Sequence, residues 1–133
     1  MTKRNIELTS TITQDKEQET FHKQMTGEVT ENKGIMRVSY LEDGTIPVKM
    51  LLKENELILR RGTDEQNYSL MRFIPGEKAA CRYVVTGRQM DLTSVTNLLK
   101  YEEDDHGQKL QVEYDLFSGL YLVGNYTVTL IFT

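Results

Sequence analysis

In segments where apolar and polar side chains alternate, three charged residues stand at positions where the alternation calls for an apolar one. Glu42 follows Tyr40 in phase, Arg61 follows Leu59, and Arg72 lies between two apolar residues of one phase. Buried charges are rare unless they are paired, because removing an ion from water is costly. A carboxylate that meets an arginine inside a protein could hold a small polar molecule. The other interpretation places these residues at strand ends, where long side chains return their charges to water.

The remaining residues with catalytic chemistry lie in ordinary surroundings. His22 alternates with polar residues on a solvent-facing phase, and His106 falls in a turn. Cys81 lies in "KAACRYVV" without the basic motif typical of an activated thiol. The chain also lacks nucleotide-binding and hydrolase motifs. No residue is indicated as catalytic, and an enzyme is the less favoured interpretation.

One acidic segment, "YEEDDHG" at residues 101–107, raises the question of a metal site. It lacks the ligand spacing and the glycine position of a calcium loop. Consecutive residues of a strand also point to opposite faces, so few of these carboxylates can converge on one ion. We interpret the segment as a charged hairpin tip that discourages edge pairing, and we predict no metal and no cofactor.

The elements that must position these residues have a period of two along most of the chain. Alternation of this kind, rich in Thr, Val, Ile and Tyr, is typical of half-buried antiparallel strands. The alternating sets are Ile6, Leu8 and Ile12; Phe21, Met25 and Val29; Met36, Val38 and Tyr40; Ile46, Val48, Met50 and Leu52; Leu110, Val112, Tyr114 and Leu116; and Tyr126, Val128, Leu130 and Phe132.

Turn-forming residues separate these runs. Asp43-Gly44 suits a hairpin turn with positive φ at both positions, and Pro75-Gly76 suits a type II turn. A meander of short strands hides its edges best by closing on itself. We therefore predict one all-β domain over residues 1–133, a single antiparallel up-and-down β-barrel of about eight strands.

The segment "MDLTSVTNLLKYEED" is ambiguous. The spacing of Leu92, Val95, Leu98 and Leu99 is compatible with a helix. Its threonines and the hairpin-like residues after it favour a strand, which is our prediction for residues 90–101.

Composition and charge limit the partners and the location. A net charge of −4 disfavours a nucleic-acid binder, since cations drive binding to phosphates, although Lys78, Arg82 and Arg88 could form a local basic patch. The basic start is not followed by an apolar signal core, and no apolar run approaches the roughly 18 residues that span a bilayer. The single cysteine suits a reducing compartment. We predict a cytoplasmic protein with no nucleic-acid or membrane partner.

Five short motifs occur in an order and spacing that resemble the YwiB-like family of uncharacterised bacterial proteins. They are "SYLED" (39–43), "RRG" (60–62), "MRF" (71–73), "CRYVVTG" (81–87) and "EYDLFSG" (113–119). The resemblance implies a calycin-like, lipocalin-like antiparallel barrel, in agreement with the alternation. It implies no activity and no catalytic residues, because none is assigned to the family.

The family motifs also select residues. They fall on Tyr40, Glu42, Arg60, Arg72 and Tyr114, which we take as candidate ligand-binding residues. Strict alternation would turn Arg61 inward instead of Arg60. The family motif and the alternation agree only if a bulge before the following glycine shifts the alternation by one residue. We favour Arg60 as the inward arginine near Glu42 and Tyr40.

Two functions of different classes follow from these observations. The leading hypothesis is a binder that holds a small molecule in the barrel lumen without catalysis, by analogy of architecture. The alternative is a module that binds an unknown protein partner through its outer face or an open edge. A lumen cavity lined by mixed apolar and polar groups would favour the first, and a filled lumen with an exposed apolar patch would favour the second.

Overall fold

Ten β-strands make up the protein in a computed structural model that describes residues 2–133. The strands are β1 Thr2–Gln14, β2 Glu17–Asn32, β3 Ile35–Glu42, β4 Ile46–Lys53, β5 Glu56–Asp64, β6 Asn67–Phe73, β7 Lys78–Val85, β8 Arg88–Asp104, β9 Gly107–Ser118 and β10 Tyr121–Phe132. Among these residues there is no helix long and apolar enough to cross a membrane.

The strands form a closed barrel in which each strand pairs antiparallel with its neighbours in the sequence, and β1 also pairs with β10. This confirms the predicted all-β, up-and-down antiparallel barrel, with ten strands where about eight were expected. The turns β1–β2, β3–β4, β5–β6, β7–β8 and β9–β10 lie at one end of the barrel, which we call the upper end.

The turns follow the local chemistry of their residues. Asp43 and Gly44 have φ values of 52° and 75°, as predicted, and Thr45 N–H donates to the Glu42 carbonyl at 3.1 Å. Strand pairing places Glu42 opposite Ile46, so the hairpin loop has three residues, with Thr45 added to the predicted pair. At the lower end, Glu77 N–H donates to the Ile74 carbonyl at 3.0 Å around a positive-φ Gly76, which confirms the second predicted turn.

The ambiguous segment is a strand, as predicted, because it forms part of β8. A bulge at Asn97 shifts the register between Thr96 and Leu98. Ser94 and Thr96 are buried before the bulge, whereas Leu99 packs against the core after it. Because one extra residue exchanges the two faces of a strand, Leu92 and Leu99 both pack against the core although they are an odd number of residues apart.

Large side chains fill the lower and middle parts of the barrel. The largest of those that are essentially inaccessible to solvent are Phe73, Phe132, Ile6, Leu57, Leu110 and Leu130. The acidic segment forms the β8–β9 turn, where Asp104 Oδ1 accepts the N–H groups of His106 and Gly107 at 2.8 and 3.1 Å. This is the predicted hairpin tip, and no three potential metal ligands cluster anywhere in residues 2–133.

Candidate ligand site at the barrel mouth

The upper end of the barrel opens where β2 separates from β3. The two strands pair from Gly27 opposite Tyr40 down to Asn32 opposite Ile35. Above that point, residues 17–26 of β2 pair only with β1, while β3 continues to Glu42. The long β1–β2 hairpin therefore rises past the end of β3 and leaves a gap in the wall.

An ion-pair network crosses this gap. The Glu42 carboxylate accepts a hydrogen bond from Lys23 Nζ at 2.8 Å and another from Arg61 Nε. Lys23 Nζ also lies 3.2 Å from Asp43 Oδ2 in the adjacent turn. One carboxylate on β3 thus connects β2 to β5, and its side chain is only 17% exposed.

A cavity of about 290 Å³ lies behind this network. Its wall is mainly apolar, and Ser10, Lys23, Glu42 and Arg61 supply its polar groups. The apolar lining consists of Leu8, Phe21, Tyr40, Val48, Met50, Leu59 and Val128. A concave apolar site with a few converging polar groups is typical of small-molecule pockets, whose volumes start at about 300 Å³.

The charges of the mouth are set by the network. Burial raises the pKa of the Glu42 carboxyl, but hydrogen bonds from Lys23 and Arg61 outweigh it, so this pKa lies below its usual value. The Glu42 hydrogen bond raises the pKa of Lys23. The network thus joins two cations, Lys23 and Arg61, to two carboxylates, Glu42 and Asp43, and Arg61 pairs with only one of the carboxylates.

The guanidinium of Arg61 is only partly used. Its Nε donates to Glu42, and the two Nη atoms donate to no acceptor within residues 2–133. The side chain is 46% exposed and lines the cavity. The Nη donors are thus available to an anion that enters the mouth, and guanidinium geometry favours carboxylates and phosphates.

Two of the candidate residues meet as predicted, and their arginine partner is Arg61. Tyr40 and Glu42 both face the mouth, and burial raises the pKa of the Tyr40 hydroxyl. The choice of Arg60 as the inward arginine was wrong. The bulge lies after Gly62, between the pairs Gly62–Tyr68 and Asp64–Asn67, so it leaves the alternation at residues 60 and 61 unchanged.

Arg60 and Arg72 both project from the outer face of the barrel. The Arg60 guanidinium lies 4.4 Å from the centre of the Tyr68 ring and 3.3 Å from Glu65, whereas Arg72 Nε donates to Glu56 at 2.7 Å. Arg72 was assigned to the phase of Leu70 and Ile74, but β6 turns Met71 and Phe73 inward instead. The reason is its register with β5, where Leu59 and Leu57 lie opposite those two residues.

Tyr114, the fifth candidate, belongs to the core rather than to the mouth. Its ring centre lies 4.5 Å from that of Phe73 and 5.1 Å from the stacked ring of Tyr126. Burial raises the pKa of its hydroxyl. In the same region, the Tyr83 hydroxyl donates to Met71 Sδ at 3.4 Å. The pKa of this hydroxyl is raised to about 12, mainly by burial and to a lesser extent by the nearby Cys81. These tyrosines belong to the interior packing of the barrel, and none of them lines the cavity.

Sequence reasoning missed Lys23, Phe21 and Ser10, although alternation contained the signal. Lys23 stands between Phe21 and Met25 in phase, and Ser10 stands between Leu8 and Ile12. Both polar residues interrupt apolar phases in the same way as Glu42. They contribute to the site because β1 and β2 face the mouth along their upper halves.

Comparisons of this chain with known protein families and solved structures agree with this architecture. Residues 6–130 match the model of a family described as a domain of unknown function, DUF1934. The chain belongs to this family. The fold of this DUF1934 protein is similar to the crystal structure of the ywiB protein from Bacillus subtilis, with a TM-score of 0.83 and 19% identity over 98% of this chain and 90% of that one.

These findings confirm the resemblance to YwiB-like proteins that the short motifs indicated. At this identity, the structural likeness concerns the fold alone. No curated protein matches the chain. The evidence for a ligand site in this DUF1934 protein is therefore the geometry of its own barrel mouth.

Glu42→Gln is expected to reduce stability by no more than about 1 kcal/mol near neutral pH, since both cationic partners are partly exposed. The folded pKa of Glu42 is lowered, so its contribution is present above the unfolded pKa and is lost as pH falls through the folded pKa. Urea denaturation of both proteins at about pH 7 and about pH 3 should show the difference shrinking in acid. Glu65→Gln, at an exposed ion pair, is the matched control, and its loss of stability near pH 7 should be smaller than that of Glu42→Gln. A difference between wild type and Glu42→Gln that is equal at both pH values would contradict the network.

Proposed function

We propose that the protein binds a small amphipathic anion in the mouth of its barrel, without catalysis. The Arg61 guanidinium carries this proposal, because it lines an otherwise mainly apolar cavity and has two Nη atoms without a protein acceptor within residues 2–133. The carboxylate or phosphate of the ligand pairs with the Nη donors of Arg61. The apolar part of the ligand contacts Leu59, Val128 and their neighbours.

The network also prepares the site for its ligand. Glu42 holds Arg61 through Nε, which restrains the guanidinium before a ligand arrives. A pre-ordered donor loses less conformational entropy when it binds, so more of the interaction energy becomes affinity. The size of the cavity, about 290 Å³, favours ligands at the small end of the usual range.

Octanoate and octyl phosphate are suitable probes, and 1-octanol is the matched uncharged compound. Titration followed by nuclear magnetic resonance of the backbone amides should show saturable binding of an anion, with shifts around Leu8, Tyr40 and Leu59. Arg61→Met should weaken this binding about tenfold or more, equivalent to about 1.4 kcal/mol. 1-Octanol should bind more weakly than either anion.

Arg60→Met provides a sharp control because it removes the adjacent arginine, which points to the other side of the sheet. This variant should bind the anions like the wild type. The proposal fails if neither anion binds at millimolar concentration, if the two arginine variants weaken binding equally, or if the shifts lie on the outer face. In any of these cases, native mass spectrometry of the gently purified protein would show by mass whether it retains a different ligand.

A further inference from the structure

The outer face of β3–β6 contains a second concave surface, which is separate from the mouth. Its volume is about 470 Å³, and we call it the outer groove. Leu51, Ile58 and Leu70 form its half-buried apolar floor. Arg37, Lys49 and Arg60 stand around that floor.

The positions of these cations are unfavourable for the isolated protein. Lys49 and Arg60 are directly opposite each other on β4 and β5. Like charges at opposed positions of neighbouring strands destabilise a sheet. Arg60 is partly compensated by Glu65 at 3.3 Å, whereas Arg37 and Lys49 form no ion pair within residues 2–133. One acidic residue, Glu28, lines the groove, so it keeps an excess of positive charge in a chain whose net charge is −4.

We propose that the outer groove binds an acidic segment of another protein that also carries aliphatic or aromatic side chains. The apolar residues of the segment cover Leu51, Ile58 and Leu70, and its carboxylates pair with Lys49, Arg60 and Arg37. The Tyr68 ring, 4.4 Å from the Arg60 guanidinium, supports that side chain at the edge of the groove. Charge complementarity of this kind raises the association rate and gives specificity.

The same features argue against other occupants. A symmetric dimer centred on this groove would bring the cations of two copies close together, which like-charge repulsion disfavours. A nucleic-acid strand would stack on aromatic rings, but the floor of the groove is aliphatic. A concave floor is also poorly matched to the flat surface of a bilayer.

A displayed library of random peptides tests the proposal. Peptides of about 12 residues, about 40 Å long when extended, are selected on the wild type. We expect the enriched peptides to combine an excess of Asp and Glu with Leu, Ile or Phe. Lys49→Glu/Arg60→Glu should weaken their binding tenfold or more, whereas Lys100→Glu/Lys109→Glu, with the same charge change on β8 and β9, should retain it.

Two further variants distinguish loss of the site from loss of the fold. Lys49→Gln/Arg60→Gln removes both charges without introducing acids, and it should also weaken binding. Lys49→Glu alone should raise the urea midpoint of the free protein, because it replaces a repulsive pair with an attractive one, and yet it should weaken peptide binding. Such opposite effects on stability and binding are not expected of residues that serve only the fold.

Several results would overturn the proposal. These are the absence of any enriched peptide, enrichment without an acidic excess, and equal weakening by the Lys100→Glu/Lys109→Glu control. Sedimentation velocity that shows self-association abolished by Lys49→Glu/Arg60→Glu would assign the groove to a second copy. Cosedimentation with phosphatidylserine vesicles, without binding of acidic peptides, would assign it to a membrane.

Discussion

Phe73→Ala is expected to lower the free energy of unfolding by about 3–5 kcal/mol. Phe73 is 0% exposed, and its ring packs against Tyr114, which in turn stacks on Tyr126. Removing the ring leaves a cavity in the interior of a closed barrel. The surrounding strands cannot easily move inward to fill it, because hydrogen bonds hold each of them on both sides. Equilibrium unfolding in urea measures the loss.

Phe21→Ala is the matched control for this experiment, since it removes the same ring from a side chain that is 43% exposed. We expect this variant to lose about 1 kcal/mol or less. Similar losses for both variants would contradict the packing of the barrel interior, because they would mean that Phe73 contributes no more than a surface residue.

Gly27→Val is expected to cost about 2–3 kcal/mol, because it overpacks the point where β2 leaves β3. A Cβ atom at this position would lie 2.6 Å from both Ile6 Cδ1 and the Ser39 carbonyl oxygen, and 3.0 Å from Tyr40 Cβ. The Ile6 side chain can rotate, but the carbonyl belongs to the backbone of β3. The strands must therefore separate just below the mouth.

Thr26→Val tests whether this cost arises from the site or from a β-branched residue in β2. Thr26 is the exposed neighbour of Gly27, and valine has nearly the same shape as threonine. The urea midpoint of Thr26→Val should stay close to that of the wild type. If Gly27→Val also left the midpoint unchanged, the close approach of β1, β2 and β3 at this position would be disproved.

Strand phase and turn type depend on residues that are near one another in the sequence, and these features were predictable. Alternation placed Tyr40 and Glu42 on the inner face of β3, where both line the mouth. The Asp43-Gly44 and Pro75-Gly76 pairs indicated the turns that form, because few residue types accept a positive φ without strain.

Where two phases were compatible with the composition, the sequence alone did not decide. In β6, Leu70 and Ile74 form one apolar phase, and Met71 and Phe73 form the other. Pairing with β5 selects the second phase and turns Arg72 outward to Glu56. The choice between Arg60 and Arg61 depended similarly on the position of one bulge, and short motifs carry no such information.

The site itself depends on contacts between distant strands. By its alternation, the sequence determined that Glu42 would face inward, with Arg61 as one of two possible arginine partners. Only the closed barrel brought Arg61 and Lys23 to the same carboxylate, each 19 residues away along the chain. Alternation determines the face of a strand on which a side chain lies, whereas strand register and the separation of β2 from β3 determine which inward side chains meet.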